Sequence, residues 1–268
     1  MPSVSVNGTS IYYKEVGRGE PMVLVHGTGA SADAWDPVLP LLGITYRTIT
    51  YDRRGYQRSE GPPPATKHYH LRHGEDLGEL LKAWDATPAT VVGWSAGSFT
   101  AFHAAIKYPG RIKQLILYEP PLYAAKNITW PLFKTFALVG LWKAIGRPQA
   151  GADAFLRMAM AYRDGRNSFD HLPPELHVSM AKDTATLLAE LAAGTGEEFD
   201  ATALPAQITV PVKLLVGECS PELFHLAMQR LRSMFPLAPV ITIPGGNHIA
   251  QVDRPEAFVE SLNAAISA

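Results

Sequence analysis

The residues Gly93-Trp94-Ser95-Ala96-Gly97 stand between the apolar run Thr90-Val91-Val92 and a stretch of small residues from Ala96 to Tyr108. The run is typical of a short buried strand, and the stretch is typical of a helix. In a Gly-x-Ser-x-Gly segment between a strand and a helix, a strained turn lifts the serine hydroxyl above the end of the strand. The free amides at the start of the helix point toward negative charge that develops there. The sequence therefore predicts a nucleophile at Ser95, and the alternative is an ordinary tight turn that contains a serine.

Strand and helix patterns alternate on both sides of this turn. A helix is predicted over Glu75 to Trp84, where apolar residues recur at helical spacing. Strands are predicted over residues 10–16, 22–25, 46–51, 90–92 and 112–118. Alternating strands and helices imply right-handed crossovers and a parallel sheet that is covered on both faces.

The pattern changes after Pro120-Pro121. From there to about Pro205 the sequence predicts helices only, over residues 132–145, 152–162 and 179–193. Strands return at 212–216 and 240–243, and helices at 221–235 and 255–266. The sequence thus predicts a sheet domain in two pieces, 1–120 and 206–268, with a helical insertion over 121–205.

Composition excludes several classes of protein. Of the 268 residues 47% are hydrophobic, which is enough for a sizeable core, and the net charge of −1 gives no general attraction to nucleic acid or an anionic membrane. The single cysteine, Cys219, excludes an intrachain disulfide framework and a cysteine-rich zinc module. No leader-like or membrane-spanning apolar stretch is evident, so a cytoplasmic protein without a membrane partner is expected. The oligomeric state stays open.

Several segments resemble, in the same chain order, those of the α/β-hydrolase superfamily. They are Val25-His26-Gly27-Thr28-Gly29, residues 52–59 (Asp-Arg-Arg-Gly-Tyr-Gln-Arg-Ser), residues 93–97, and Gly245-Gly246-Asn247-His248 followed by residues 253–258. The resemblance covers nearly the whole chain. It implies an α/β fold with a mostly parallel eight-stranded sheet, helices on both faces, and a helical cap inserted after the sixth strand.

The resemblance also implies roles for single residues. Ser95 would be the nucleophile and His248 its general base, and the backbone amides of Thr28 and Ala96 would form the oxyanion hole. His26, Asp52 and Arg53 are expected to be structural.

The acid departs from the common pattern of the family. Most relatives carry an aspartate after the seventh strand where this chain has Ser220, and serine cannot supply the negative charge. Glu119, at the end of the sixth strand, is the predicted acid, a placement similar to that of zearalenone-type lactone hydrolases. Glu218 and Glu222 remain alternatives, and Glu119 could instead lie at the entrance to the cap.

The predicted cap is rich in aromatic and methionine residues and has no arginine cluster for a phosphate or dicarboxylate. Most of these side chains must pack the helices, and some are expected to line an apolar chamber. The predicted substrate-binding residues are Trp94, Trp130, Phe133, Met158 and Tyr162.

Three histidines, His68, His70 and His73, lie close together at the start of a predicted helix. No cysteine and no metal-hydrolase spacing accompany them, so they are interpreted as a solvated helix entry, with a metal site as the alternative. No dinucleotide fingerprint follows the first strand. Neither a metal nor a cofactor is expected.

Together these features predict a cofactor-independent serine hydrolase that acts on an uncharged, apolar ester or lactone, with water as the second substrate. Two alternatives stay open. One is other chemistry on the same fold, such as carbon–carbon bond hydrolysis or haloperoxidase-like activity. The other is a non-catalytic protein that keeps the fold to bind a ligand.

Overall fold

The computed structural model describes residues 2–62, 69–122, 129–194 and 203–268. Its centre is one eight-stranded sheet with the strand order β1-β2-β4-β3-β5-β6-β7-β8. The strands are β1 (Ser3–Val6), β2 (Thr9–Val16), β3 (Pro21–Val25), β4 (Arg47–Tyr51), β5 (Ala89–Trp94), β6 (Ile112–Tyr118), β7 (Val212–Gly217) and β8 (Val240–Ile243).

Most of the sheet is parallel. The strand β2 runs antiparallel to both of its neighbours, β1 and β4, and all strands from β4 through β8 in the sheet order run parallel to one another. The carboxyl ends of β5, β6, β7 and β8 therefore meet at one edge. Ser95, Glu119 and Gly217 stand at or directly after the ends of three neighbouring strands there.

Helices cover both faces of the sheet. Before the insertion they are α1 (Leu39–Leu42), α2 (Tyr69–Ala83) and α3 (Gly97–Lys107). Between β6 and β7 they are α4 (Trp130–Ala144), α5 (Pro148–Ala159), α6 (Pro174–Lys182), α7 (Thr184–Ala193) and α8 (Leu204–Gln207). After β7 they are α9 (Glu222–Met234), α10 (Ala250–Asp253) and α11 (Pro255–Ser267).

Successive residues of the central strands enter different cores because side chains alternate across a strand. Val91 packs in the core beneath α2 and α3, whereas Val92 packs in the core beneath α1 and α11. The second core also takes in Leu156 of α5 and Leu187 of α7, so these helices between β6 and β7 pack into the same apolar layer as the sheet.

The fold class predicted from the sequence is confirmed, but several elements were misjudged, among them a strand and a helix. The strand β1 was not predicted, because its sequence Ser-Val-Ser-Val is short and half polar. The single helix predicted over 179–193 is two helices, α6 and α7, which meet at Asp183. Its carboxylate accepts hydrogen bonds from the backbone and side-chain nitrogens of Gln57, at 3.1 and 2.8 Å.

The division into a sheet domain and an insertion over 121–205 stays a prediction. Among the described residues, no helix combines the length and the apolar character needed to cross a membrane.

Candidate active site

Ser95 occupies a sharp turn between β5 and α3. Its φ of +52° lies in the left-handed region, which side chains other than glycine rarely adopt, and its N–H donates to the Tyr118 carbonyl at 2.8 Å. The turn is crowded: a Cβ atom at Gly97 would lie 2.4 Å from the Val25 carbonyl oxygen, and one at Gly27 would lie 2.9 Å from the Ser95 Cβ. Glycine at these positions allows the strained turn to pack against β3.

The acid predicted from the sequence lies against the predicted base. Oε2 of Glu119 is 2.6 Å from Nδ1 of His248, and both side chains are buried. Glu119 also has a left-handed backbone, with φ of +48°, and its N–H donates to the Leu215 carbonyl at 3.2 Å. Two strained non-glycine residues therefore stand at the ends of the adjacent strands β5 and β6, as strain often does at functional sites.

The other carboxylate oxygen of Glu119 is held by the β7 loop. Oε1 accepts hydrogen bonds from the Gly217 N–H at 2.7 Å and from the Ser220 hydroxyl at 2.5 Å. The alternative acids have other partners: Glu218 accepts from the Gly245 N–H at 2.8 Å, and Glu222 pairs with Arg163 at the surface. The structure therefore brings Glu119, rather than either alternative, to His248.

Two aromatic residues, Trp94 and Phe224, also contact His248. The Trp94 indole Nε1 donates to the His248 carbonyl at 2.8 Å. The Phe224 ring stacks on the imidazole, with centroids 3.8 Å apart and planes 14° from parallel. Sequence reasoning missed Phe224 as part of the site, because the amphipathic pattern of α9 shows that this residue faces inward without showing what it covers.

The two amides predicted for the oxyanion hole are the backbone N–H groups of Thr28 and Ala96. Within the described part of the chain, neither the Thr28 N–H nor the Ala96 N–H donates to a protein acceptor. Ala96 is the N-cap of α3, where the helix dipole favours negative charge. The Thr28 side chain is engaged elsewhere, since its hydroxyl donates to Oε1 of Glu190 at 2.7 Å.

Ser95 and His248 line one cavity, which residues of α4, α5 and α7 line as well. Its empty volume is about 620 Å³, part of it open to solvent. The other lining residues are Gly27, Thr28, Trp94, Pro121, Leu132, Phe136, Phe155, Leu156, Met158, Ala159, Met160, Leu191 and Phe224. No aspartate, glutamate, lysine or arginine is among these described lining residues. The chamber is therefore apolar apart from the side chains of Ser95, His248 and Thr28.

The predicted substrate-binding residues divide into three groups. Trp94 and Met158 line the cavity. Trp130 and Phe133 stack on each other on α4, are 72% and 58% exposed, and are not brought to the cavity. Tyr162 instead lines an outer groove between α4, α5 and the start of α9, which Met158 borders as well.

The interpretation of the histidines at the start of α2 as solvated is wrong. His70 and His73 are both buried, and His73 Nδ1 lies 3.1 Å from the Arg53 guanidinium. Burial and the Arg53 charge lower the pKa of both rings well below its ordinary value. His68 lies outside the described residues, and in the parts that are described no group of His, Cys, Asp or Glu is arranged to hold a metal ion.

Comparison with known proteins identifies the family of this chain. The chain matches the sequence model of the Alpha/beta hydrolase family over residues 22–261 and belongs to that family. As a member of this family, it is an enzyme with the α/β-hydrolase fold. Among curated proteins it is similar to a 2-(acetamidomethylene)succinate hydrolase of Mesorhizobium japonicum, with 24% identity over 99% of this chain and 94% of the relative.

Solved structures show the same fold at low identity. A bromoperoxidase from Bacillus anthracis superposes with a TM-score of 0.79 and 22% identity, over 97% of this chain and 96% of the other. An N-acyl homoserine lactone degrading enzyme superposes with a TM-score of 0.76 and 23% identity, over 98% and 99% of the two chains. Relatives on this fold therefore differ in chemistry, and the reaction must be argued from the site.

Proposed function

We propose that this protein is a serine hydrolase that cleaves an uncharged, apolar carboxylic ester or lactone through an acyl-enzyme. Ser95 Oγ adds to the acyl carbon while its proton passes to Nε2 of His248. The carbonyl oxygen becomes an oxyanion that accepts from the Thr28 and Ala96 amides. When the tetrahedral intermediate collapses, the acyl C–O bond breaks and the alkoxide takes the proton from His248. With a lactone, this alcohol stays tethered to the acyl group.

Water then completes the cycle. It adds to the acyl-enzyme as His248 takes one of its protons, and collapse of the second intermediate returns that proton to Ser95 Oγ and releases the acid. Throughout, the Glu119 carboxylate holds Nδ1–H of His248 and stabilises the ring when it is charged. The overall balance is one water consumed for each ester bond cleaved.

One observation carries this proposal: Glu119 makes a buried 2.6 Å contact with His248, and His248 lines the same cavity as Ser95. A protein that kept the fold only to bind a ligand would have no use for a desolvated carboxylate on a histidine beside a strained serine. The contact supports catalysis over the non-catalytic alternative.

The cavity lining supports the proposed substrate class. A substrate with two carboxylates, as the name of the succinate hydrolase relative implies, would need cations that the described lining lacks. The apolar walls favour an uncharged acyl group, and the position of Glu119 and the lactone degrading relative support a lactone.

The helices between β6 and β7 would act as the cap over this substrate. The cytoplasmic location expected from the sequence stays a prediction.

Replacement of the nucleophile tests the proposal. The variant Ser95→Ala should fold like the wild type and lose turnover of p-nitrophenyl esters by several orders of magnitude, with only the weak catalysis of the oxyanion hole left. Ser98→Ala is the matched control, because Ser98 is the neighbouring buried serine of α3 and its hydroxyl donates to the Gly93 carbonyl. Wild-type turnover in Ser95→Ala would overturn the mechanism.

A further inference from the structure

A buried carboxylate of the helical insertion reaches the loop that carries Thr28. Glu190, on α7, is fully buried and accepts from the Thr28 hydroxyl at 2.7 Å. It also pairs with Nη2 of Arg53 at 3.1 Å and accepts from the Tyr56 hydroxyl. Both members of the Glu190–Arg53 ion pair have no exposed side-chain surface. The insertion thus places a negative charge directly behind the predicted oxyanion loop.

The same arginine holds one particular peptide group. Nη2 of Arg53 donates to the Gly27 carbonyl at 3.1 Å. The Gly27 carbonyl and the Thr28 N–H belong to one trans peptide plane and point in opposite directions. Donors that fix the Gly27 oxygen therefore also fix the direction in which the Thr28 N–H points.

A histidine completes the grip on this peptide. His26 Nε2 accepts from the Arg53 N–H at 3.0 Å, so Nε2 carries no proton, and the neutral ring donates from Nδ1 to the Gly27 carbonyl at 2.9 Å. Burial, with the nearby Arg53 charge, lowers the pKa of His26 well below its ordinary value and keeps this tautomer neutral. Gly27 O thus receives one hydrogen bond from the Arg53 guanidinium and one from the His26 ring, which the Arg53 backbone N–H orients, besides a longer one of 3.4 Å from the Ala30 N–H.

Glu190 holds the Arg53 guanidinium in the position from which it donates to the Gly27 carbonyl. Burial alone would lower the pKa of Arg53, but the Glu190 charge raises that pKa above its ordinary value. A buried ion pair of this kind adds little net stability compared with apolar residues of the same volume, whereas loss of one partner leaves the other uncompensated. The pair is better explained by the orientation that it imposes on its surroundings.

We propose that Glu190 is a positioning residue of the reaction: through Arg53 and the Thr28 hydroxyl it fixes the Gly27–Thr28 peptide, so the oxyanion hole is complete only when α7 is seated on the sheet domain. This inference rests on the proposed function, because it assigns Glu190 a part in the same chemistry. Glu190 itself touches no reacting atom.

Helix α7 offers a matched control. Thr186, one turn before Glu190, donates its hydroxyl to the Gly55 carbonyl at 3.0 Å, so Thr186→Val removes another contact between α7 and the sheet domain. It leaves the Gly27–Thr28 peptide untouched. A merely structural role for Glu190 would make the two sites behave alike.

The experiment compares Glu190→Gln, Thr28→Val, Thr28→Ser and Thr186→Val with the wild type. Thermal unfolding and circular dichroism identify folded variants, and p-nitrophenyl butyrate gives kcat and KM. A trifluoromethyl ketone, which forms a hemiketal oxyanion on the serine, reports affinity for the tetrahedral state. Labelling of the wild type with a fluorophosphonate checks the proposed function separately.

Glu190→Gln should lower kcat on the order of ten- to a hundredfold with KM within about threefold, since a displaced donor weakens binding of the transition state more than that of the substrate. The ketone should bind more weakly by a similar factor. Thr28→Val should lower kcat and ketone affinity in the same way but by a smaller factor. Thr28→Ser keeps the hydroxyl and should therefore recover the kcat and the ketone affinity that Thr28→Val loses. Thr186→Val should keep the kcat and the ketone affinity of the wild type.

Two results would overturn the inference. One is wild-type kcat and ketone affinity in folded Glu190→Gln and Thr28→Val, and the other is an equal loss in Thr186→Val. Should Glu190→Gln fail to fold, the comparison of Thr28→Val with Thr28→Ser decides. If the wild type is not labelled by the fluorophosphonate, the proposed function fails and this inference fails with it, whereas labelling with unchanged variants removes the inference alone.

Discussion

The Ser220 hydroxyl donates a 2.5 Å hydrogen bond to Oε1 of Glu119, while Oε2 of the same carboxylate contacts His248. Ser220 stands where the family resemblance places the acid, and Glu119 directly follows the neighbouring strand β6. In this chain the carboxylate that contacts His248 follows β6, and Ser220, after β7, donates a hydrogen bond to it. We expect this exchange of roles to have measurable consequences.

The first prediction concerns the charge on the acid. Glu119→Gln keeps the size of the side chain but removes its charge and can stabilise the wrong tautomer of His248. By analogy with the equivalent amide substitution in serine proteases, kcat should fall roughly a thousandfold or more. The measurement is kcat for a p-nitrophenyl ester, with Glu218→Gln and Glu222→Gln as matched controls that should stay near wild type. A silent Glu119→Gln beside an inactive but folded Glu222→Gln would show that the acid is misassigned.

The second prediction concerns Ser220. Ser220→Ala removes one of the two donors to Oε1 and should lower kcat only about three- to tenfold, because the Gly217 N–H still holds that oxygen. Ser220→Asp in the Glu119→Gln background restores a carboxylate at the commoner position and should recover part of the lost rate. In the wild-type background the same aspartate places two buried carboxylates together and should reduce activity. Equal kcat for Glu119→Gln with and without Ser220→Asp would contradict this reasoning.

The third prediction concerns the length of the acyl chain. Met158 lines both the cavity and the outer groove, so Met158→Ala should join the two spaces. In the wild type, kcat/KM should stop rising once the acyl chain fills the cavity. In Met158→Ala, each acyl methylene beyond that length should still contribute about 0.8 kcal/mol of binding. The measurement is kcat/KM for a series of p-nitrophenyl esters, with Met180→Ala as a control, because Met180 is a buried methionine of α6 that lines neither space. The same limit on chain length in Met158→Ala and the wild type would refute the prediction.

The fourth prediction concerns stability in acid. His26, His70 and His73 are buried with lowered pKa values, so below about pH 6.5 the unfolded chain binds protons that the native chain does not, and stability is lost as the pH falls. Each contributes a slope of about 1.4 kcal/mol per pH unit below that point. Asp183 has the opposite effect. Burial raises its pKa to about 6, so below pH 6 the native state takes up this proton before the unfolded chain does, which offsets the loss of stability from one histidine.

His70 offers the sharpest test of this pH dependence. Neither of its ring nitrogens has a hydrogen-bond partner among the described residues, so His70→Phe loses no such bond. The substitution should raise the free energy of unfolding at pH 5, relative to its effect at pH 8, by roughly 2 kcal/mol. Urea unfolding at the two pH values measures this difference, with exposed His177→Phe as the control. The same effect of His70→Phe at both pH values would contradict the prediction.

Much of the fold was predictable because the signals are local. The apolar runs of β3, β5 and β7, and the glycines around Ser95, each lie within a few residues of sequence. The absence of a carboxylate at position 220 directed attention to Glu119, and the structure places that side chain against His248. What it does there stays a prediction until it is measured.

The contacts that sequence reasoning missed join distant parts of the chain. Glu190 lies 137 residues from Arg53, and nothing near it in α7 reveals a cationic partner. Its one local signal is a single charge in an otherwise apolar and small helix, Thr-Ala-Thr-Leu-Leu-Ala-Glu-Leu-Ala-Ala. The burial of His70 was missed for the same reason, because polar residues at a helix start are usually solvated and only the packed neighbours, such as Phe99, bury this one.

The most direct test of the central claim is mass spectrometry of the intact protein after reaction with a fluorophosphonate. The account predicts one adduct per chain in the wild type, located on the peptide that contains Ser95, no adduct in Ser95→Ala, and labelling slowed roughly a hundredfold or more in Glu119→Gln. Labelling of Ser98→Ala should match the wild type. An unlabelled wild type, or an adduct that persists in Ser95→Ala, would contradict the account.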